Sequence, residues 1–135
     1  MWLVFLPLIV GTALYAFRPI APVAFVWLGV DRWLANAPWI NVISEHLPYW
    51  VLYQLPDGLW GMALTAMLAF LAGDQPKLRR TYLAVALIFV NGYEFSQLYF
   101  DVGAFDWMDV VAVNVGWLIV MTQSERHGHR RTATD

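Results

Sequence analysis

The sequence predicts an all-α fold, a bundle of four transmembrane helices, and three observations indicate it. Hydrophobic residues make up 60% of the 135 residues and charged residues 13%, whereas soluble domains average roughly 45 to 50% and about 25%. Aromatic residues make up 16%, which suits a protein with two bilayer interfaces, where amphipathic rings concentrate. The apolar residues also occur in runs that approach the roughly 20 residues needed to cross a bilayer.

The first predicted helix covers about residues 2–17, a run without any charged residue. A secretory signal would begin with positive charge, but no Lys or Arg precedes Arg18. We therefore expect this helix to be uncleaved.

A proline-interrupted stretch follows, from Arg18 to Gln54, and it cannot form one continuous helix. Residues 21–30 are apolar but too short to cross a bilayer alone. Asn36 is expected to cap a short helix that ends near Pro48. We predict that this stretch is an extracytoplasmic segment, interfacial or re-entrant, between helices 1 and 2.

Three further apolar runs predict the remaining helices, at about 55–72, 82–100 and 107–121. Asp57, directly after Pro56, can cap the first turn of the second helix. The fourth run is short and carries polar interruptions, so it needs its neighbours or a locally thinned bilayer in order to insert.

The basic residues predict the orientation of this bundle, because Lys and Arg favour the cytoplasmic side. We expect both termini to be cytoplasmic, with one transmembrane domain over residues 1–125 and a charged cytoplasmic tail over 126–135. Most basic residues lie between the second and third helices or after the fourth: Lys77, Arg79, Arg80, Arg126, Arg130 and Arg131.

Polar residues in the third and fourth predicted helices are the candidates for a functional site. An ionisable group at membrane depth costs roughly 2.5 to 3.5 kcal/mol, so these groups should face an interior site. Asn91, Glu94 and Gln97 share one stripe of the third helix. An antiparallel neighbour brings Asp109 to the level of that stripe. The candidate ligand-binding residues are Glu94, Gln97, Asp106, Asp109 and Asn114, with Asn91 and Asp57 as structural polar contacts.

Most of these residues also have a structural interpretation. Asp106 and Asp109 have the spacing of a capping box at the start of the fourth helix. Asn114 is turned about 140° from Asp109, so we expect it to bond to a different helix, the first or the second. Glu94 lies too deep to cap a helix, and no Lys or Arg lies within a predicted span to neutralise it. Close-packing positions are expected at Gly61, Gly92 and Gly116.

One run of residues carries a resemblance to a known family: E-F-S-Q at 94–97, a short loop with Gly103, D-W-M-D at 106–109, then Asn114 and Gly116. It resembles the VanZ-like family of small multi-pass bacterial membrane proteins, although the chain lacks that family's Arg in the loop. An uncharacterised small family with E-x-x-Q and a Gly-aromatic-x-x-Asp turn looks equally close. The VanZ-like resemblance implies a protein of the bacterial inner membrane with a role in the cell envelope and antibiotic resistance.

Three kinds of function fit these residues, and the sequence leaves them open. In the first, which we favour, an outward-facing acidic pocket binds the head group of a membrane lipid or a lipid-linked envelope precursor. In the second, the protein is an intramembrane enzyme whose carboxyl groups, Glu94 and Asp109, divide acid and base roles. In the third, it is a small structural subunit that binds a membrane-protein partner.

Composition excludes other classes of function. With no cysteine, the chain has no disulfide, thiolate metal site or cysteine nucleophile. A net charge of -2 is too small to indicate nucleic-acid binding. We expect no cofactor, with a divalent cation as an alternative because carboxylates bind Mg²⁺ or Ca²⁺. Its ligands would come from Asp57, Glu94, Asp106 and Asp109.

Overall fold

The computed structural model describes residues 1–18, 23–100 and 105–132, and over these ranges the chain is helical and contains no β-strand. The all-α prediction is therefore confirmed. Within the same ranges, none of the helices combines the length and the apolar character that a membrane crossing requires. In chain order the helices are α1 (Trp2–Tyr15), α2 (Val23–Trp27), α3 (Val30–Ala35), α4 (Pro38–His46), α5 (Tyr49–Leu52), α6 (Gln54–Leu71), α7 (Pro76–Ser96) and α8 (Trp107–Thr132).

The ends of α7 and α8 differ from the expected ends. Helix α7 begins at Pro76, before the apolar run starts, because proline in the first turn is already set to a helical φ. It ends at Ser96, so that Gln97 is its C-cap. Helix α8 continues past Met121 to Thr132, since apolar character limits a membrane span but does not limit a helix.

Four short helices, α2 to α5, occupy the segment between α1 and α6. The expected cap at Asn36 is wrong. Helix α4 begins at Pro38 with Ala37 as its N-cap, while Asn36 ends α3 and its Nδ2 donates to the Arg32 carbonyl at 2.8 Å. Residues 19–22 lie outside the described residues, and with them part of the apolar stretch expected to be re-entrant.

Helix α6 is the central element, and it packs against α1, α7 and α8. Its contact with α8 is close because glycines meet there. A Cβ at Gly116 would overlap the carbonyl oxygen of Gly58, and a Cβ at Gly61 would lie 3.2 Å from Val113 Cβ. The predicted close packing is confirmed at Gly61 and Gly116. It is wrong at Gly92, where an added Cβ would meet nothing within 4 Å among the described residues.

Candidate ligand-binding site

Carboxyl groups from three helices come together at one end of the bundle. The charges of Asp57 on α6 and Asp109 on α8 both act on Glu94 of α7, and the charge of Asp106 acts on Asp109. These residues lie near the start of α6, the end of α7 and the start of α8. We call Asp57, Glu94, Asp106 and Asp109 the acidic cluster.

Glu94 is the most deeply buried member of the cluster, with 3% of its surface exposed. Its Oε2 accepts a hydrogen bond from Nε2 of Gln97 at 3.0 Å. The two residues are one helical turn apart, the spacing at which side chains on one face meet. Gln97 thus joins Glu94 at the end of α7, as the polar stripe in the sequence predicts.

Arg18, just after α1, supplies positive charge to this end of the bundle. Its Nη2 forms an ion pair with Oδ2 of Asp57 at 2.9 Å, and the two side chains are only 16% and 19% exposed. Its Nε donates to the Leu52 carbonyl at 2.7 Å, and its Nη2 also donates to the Tyr53 carbonyl. The Tyr15 hydroxyl donates to Oδ1 of Asp57. Arg18 therefore ties the end of α1 to the start of α6.

One expectation about these charges is wrong. Asp57 was expected to cap the second helix, but α6 begins at Gln54 and the Asp57 carboxylate bonds to Tyr15 and Arg18 instead. No Lys or Arg lies within a predicted span to neutralise Glu94, and the basic residue whose charge acts on it, Arg18, follows the first span. The sequence feature that could have indicated the role of Arg18 is its position, since it is the first basic residue and directly follows an apolar run. A charge in such a place needs an acidic partner.

Asp106 and Gln54 link the starts of α8 and α6. Oδ1 of Asp106 accepts a hydrogen bond from the Met108 backbone N–H at 2.9 Å, which confirms the predicted capping role. Its Oδ2 accepts from Nε2 of Gln54 at 3.2 Å. Gln54 is 7% exposed, and sequence reasoning missed it because it stands at a predicted helix boundary.

Two buried oxygen atoms at this site lack a hydrogen-bond donor. They are Oε1 of Gln54 and Oδ1 of Asp109, and neither has a partner within the part of the chain that the structure describes. Buried polar atoms in native proteins are paired in the large majority of cases. The arrangement is therefore suited to accept hydrogen bonds from a group that the described residues do not supply.

Asn114 bonds to Asn91 of α7, so the expectation of a partner on the first or second helix is wrong. Nδ2 of Asn114 donates to Oδ1 of Asn91 at 2.7 Å, and the reverse bond is 3.3 Å. Each Nδ2 also donates to a carbonyl one turn earlier, Leu87 at 2.8 Å and Val110 at 2.7 Å. The predicted role of this pair in joining helices is confirmed, and it places Asn114 in a structural contact.

Replacing either asparagine by leucine should lower the free energy of unfolding by about 1 to 3 kcal/mol, because the remaining amide is left without its partner. The double variant should lose less than the sum of the single variants, since neither polar group is then stranded. A double-mutant cycle tests this, from the free energies of unfolding measured in one detergent for the wild type, Asn91→Leu, Asn114→Leu and the double variant. Strictly additive losses would contradict a direct bond between the two amides.

The chain matches no protein-family model, and no curated protein or solved structure is significantly similar to it. The resemblance to the VanZ-like family stays a prediction from the sequence. Of the residues that carry it, Glu94, Gln97 and Asp109 are described at the site, whereas Gly103 lies outside the described residues. Across the described ranges, no group of three or more acidic or histidine side chains is arranged to hold a metal ion.

Proposed function

We propose that the chain is a membrane protein of the bacterial inner membrane and that its acidic cluster binds the head group of a lipid or a lipid-linked envelope precursor. In this proposal it binds without turnover, as an accessory protein in envelope homeostasis or antibiotic tolerance. The observation that carries the proposal is an acidic site with a buried Glu94 and unpaired oxygen atoms, at one end of a bundle whose helices expose large apolar side chains.

Large apolar side chains cover the outer faces of the long helices. On α7, Ile88 is 72% exposed and Phe89 is 63% exposed, and on α6 both Phe70 and Leu71 are 62% exposed. Soluble monomers rarely expose contiguous apolar patches larger than a few hundred Å². Acyl chains would cover these faces, which supports a lipid environment.

The polar groups are arranged in the way that such an environment requires. Glu94 is buried, and Asn91 and Asn114 bond to each other. In a membrane, ionisable and amide side chains face the interior of the bundle and pair there. The ends of α1 and α7 lie with the starts of α6 and α8, so the cluster belongs to one end of the bundle. A ligand would reach it from one leaflet.

We propose that this end faces away from the cytoplasm, because the basic residues at the start of α7, Lys77, Arg79 and Arg80, lie at the other end. The cysteine-free chain makes this testable with single cysteines. An impermeant maleimide should label Glu45→Cys in intact spheroplasts and Lys77→Cys only after lysis. The reverse pattern would contradict the orientation, and equal labelling of both sites in intact cells would contradict membrane insertion.

Head-group binding is tested by the conversion Glu94→Gln, which keeps the shape of the side chain and removes its charge. Glu45→Gln is the matched control, because Glu45 is exposed on α4. Native mass spectrometry of protein extracted from membranes should find a lipid bound to the wild type and to Glu45→Gln. Glu94→Gln should bind it about tenfold less, since one hydrogen bond to a charged group is worth roughly 1.5 to 3 kcal/mol. Equal amounts of bound lipid in all three proteins would refute the proposal.

A further inference from the structure

We infer that the head group bound at the acidic cluster carries a primary ammonium group, and that Oε1 of Gln54 and Oδ1 of Asp109 accept its hydrogen bonds. This inference rests on the proposed function and names the ligand class of the same site.

Two buried oxygen atoms at the site lack hydrogen-bond donors among the described residues. Gln54 is buried, with 7% of its surface exposed. Its Nε2 donates to Asp106, and this bond fixes the orientation of the side-chain amide. Its Oε1 therefore remains as an acceptor, and within the described residues no donor reaches it or Oδ1 of Asp109. Leaving buried acceptors unpaired is costly. A ligand that pairs with these two oxygen atoms must therefore carry N–H or O–H donors.

The charges at the site favour a cation. Among the described residues, Arg18 is the one cation whose charge acts on both Glu94 and Asp109. The cluster has more carboxyl groups than this single guanidinium can neutralise. Nε of Arg18 donates to the Leu52 carbonyl, and its Nη2 donates to Asp57 and to the Tyr53 carbonyl. An anionic group would be repelled by the remaining carboxyl groups, whereas a cation would be attracted. The site therefore favours a positively charged donor.

The cation of a lipid head group can be a primary or a quaternary ammonium. A primary ammonium offers three N–H donors, one more than the two unpaired oxygens require. A quaternary ammonium has the same charge but no N–H, and proteins recognise it through the faces of aromatic rings. Unpaired oxygen acceptors thus select an ethanolamine-type head group over a choline-type head group.

The position of the acidic cluster favours an amine that belongs to a lipid over a soluble amine. The cluster lies where helices begin and end, which is the depth of head groups in the proposed membrane placement. Exposed apolar side chains on α8, including Met108 and Val111, follow directly from the cluster. Acyl chains attached to the bound head group would have an apolar surface to lie on.

The experiment compares lipids with identical acyl chains on detergent-solubilised full-length protein by native mass spectrometry. Phosphatidylethanolamine should bind about tenfold more tightly than phosphatidylcholine and phosphatidylglycerol, as expected for the loss of one hydrogen bond to a charged group. Asp109→Asn and Gln54→Leu should lose this preference, and Glu45→Gln should keep it. Circular dichroism checks that each variant is folded, and the comparison among lipids on the wild type requires no variant.

The outcomes separate the two claims. Equal binding of the three lipids, abolished by Glu94→Gln, would overturn the ammonium inference and leave the proposed function standing. No lipid bound to the wild type would overturn both. Soluble phosphoethanolamine that competed at the same concentration as the lipid would overturn the assignment to a lipid.

Discussion

Replacing Gly116 by leucine is expected to separate α8 from α6 and to prevent the acidic cluster from forming. A Cβ at this position would overlap the carbonyl oxygen of Gly58 and lie 3.1 Å from the Met62 backbone nitrogen. Because these obstacles belong to a helix backbone, they cannot move aside unless the helix itself moves. Asp57 stands on α6 and Asp109 on α8, so the displacement would also separate the carboxyl groups.

The smaller change Gly116→Ala measures the same contact. It should lower the free energy of unfolding by about 1 to 3 kcal/mol, the usual cost of overpacking. Gly92→Ala is the matched control, since Gly92 is also helical and its added Cβ would meet nothing within 4 Å among the described residues. That control should be neutral or stabilising by up to about 1 kcal/mol. Equal unfolding midpoints for the two variants would contradict the close contact.

The variant Arg18→Met is expected to destabilise the bundle by about 3 kcal/mol, the lower end of the cost of breaking a buried ion pair. It leaves Asp57 without its counter-charge and removes the donors to the Leu52 and Tyr53 carbonyls. Arg32→Met, which removes an exposed guanidinium on α3, should change stability by less than about 0.5 kcal/mol. Thermal unfolding of both variants in one detergent checks the difference.

Two further variants show whether the charge pair is the cause. Adding Asp57→Asn to Arg18→Met should recover part of the loss, because no unpaired buried charge then remains. Arg18→Lys should rescue only partly, since an ammonium cannot reproduce the planar fork that reaches a carbonyl and a carboxylate together. Full rescue by lysine, or no recovery in the double variant, would contradict this account of Arg18.

The sequence predicted the helical class and part of the site, because both depend on local periodicity. A polar stripe on an apolar helix places Glu94 and Gln97 together whatever surrounds the helix. The spacing of Asp106 from the start of the fourth run predicts its capping role. The proposed meeting of Glu94 with Asp109 required only that consecutive helices be antiparallel neighbours.

The remaining residues of the site depend on packing between distant parts of the chain. Arg18 and Asp57 are 39 positions apart, and Gln54 and Asp106 are 52 apart, so no local pattern links them. The azimuth of Asn114 shows that it cannot share a partner with Asp109, but it does not show which helix lies in each direction. For the same reason a glycine in a helix, such as Gly92, cannot be assigned to a contact before the neighbouring helices are placed.

The most direct measurement is an experimental structure of the full chain in nanodiscs that contain phosphatidylethanolamine. The account predicts that Glu94 faces Asp57, Arg18 and Asp109 between α6, α7 and α8, with head-group density beside Gln54 and Asp109. A structure in which Glu94 points outward among acyl chains, or in which Asp109 lies at the opposite end of the bundle from Glu94, would contradict it.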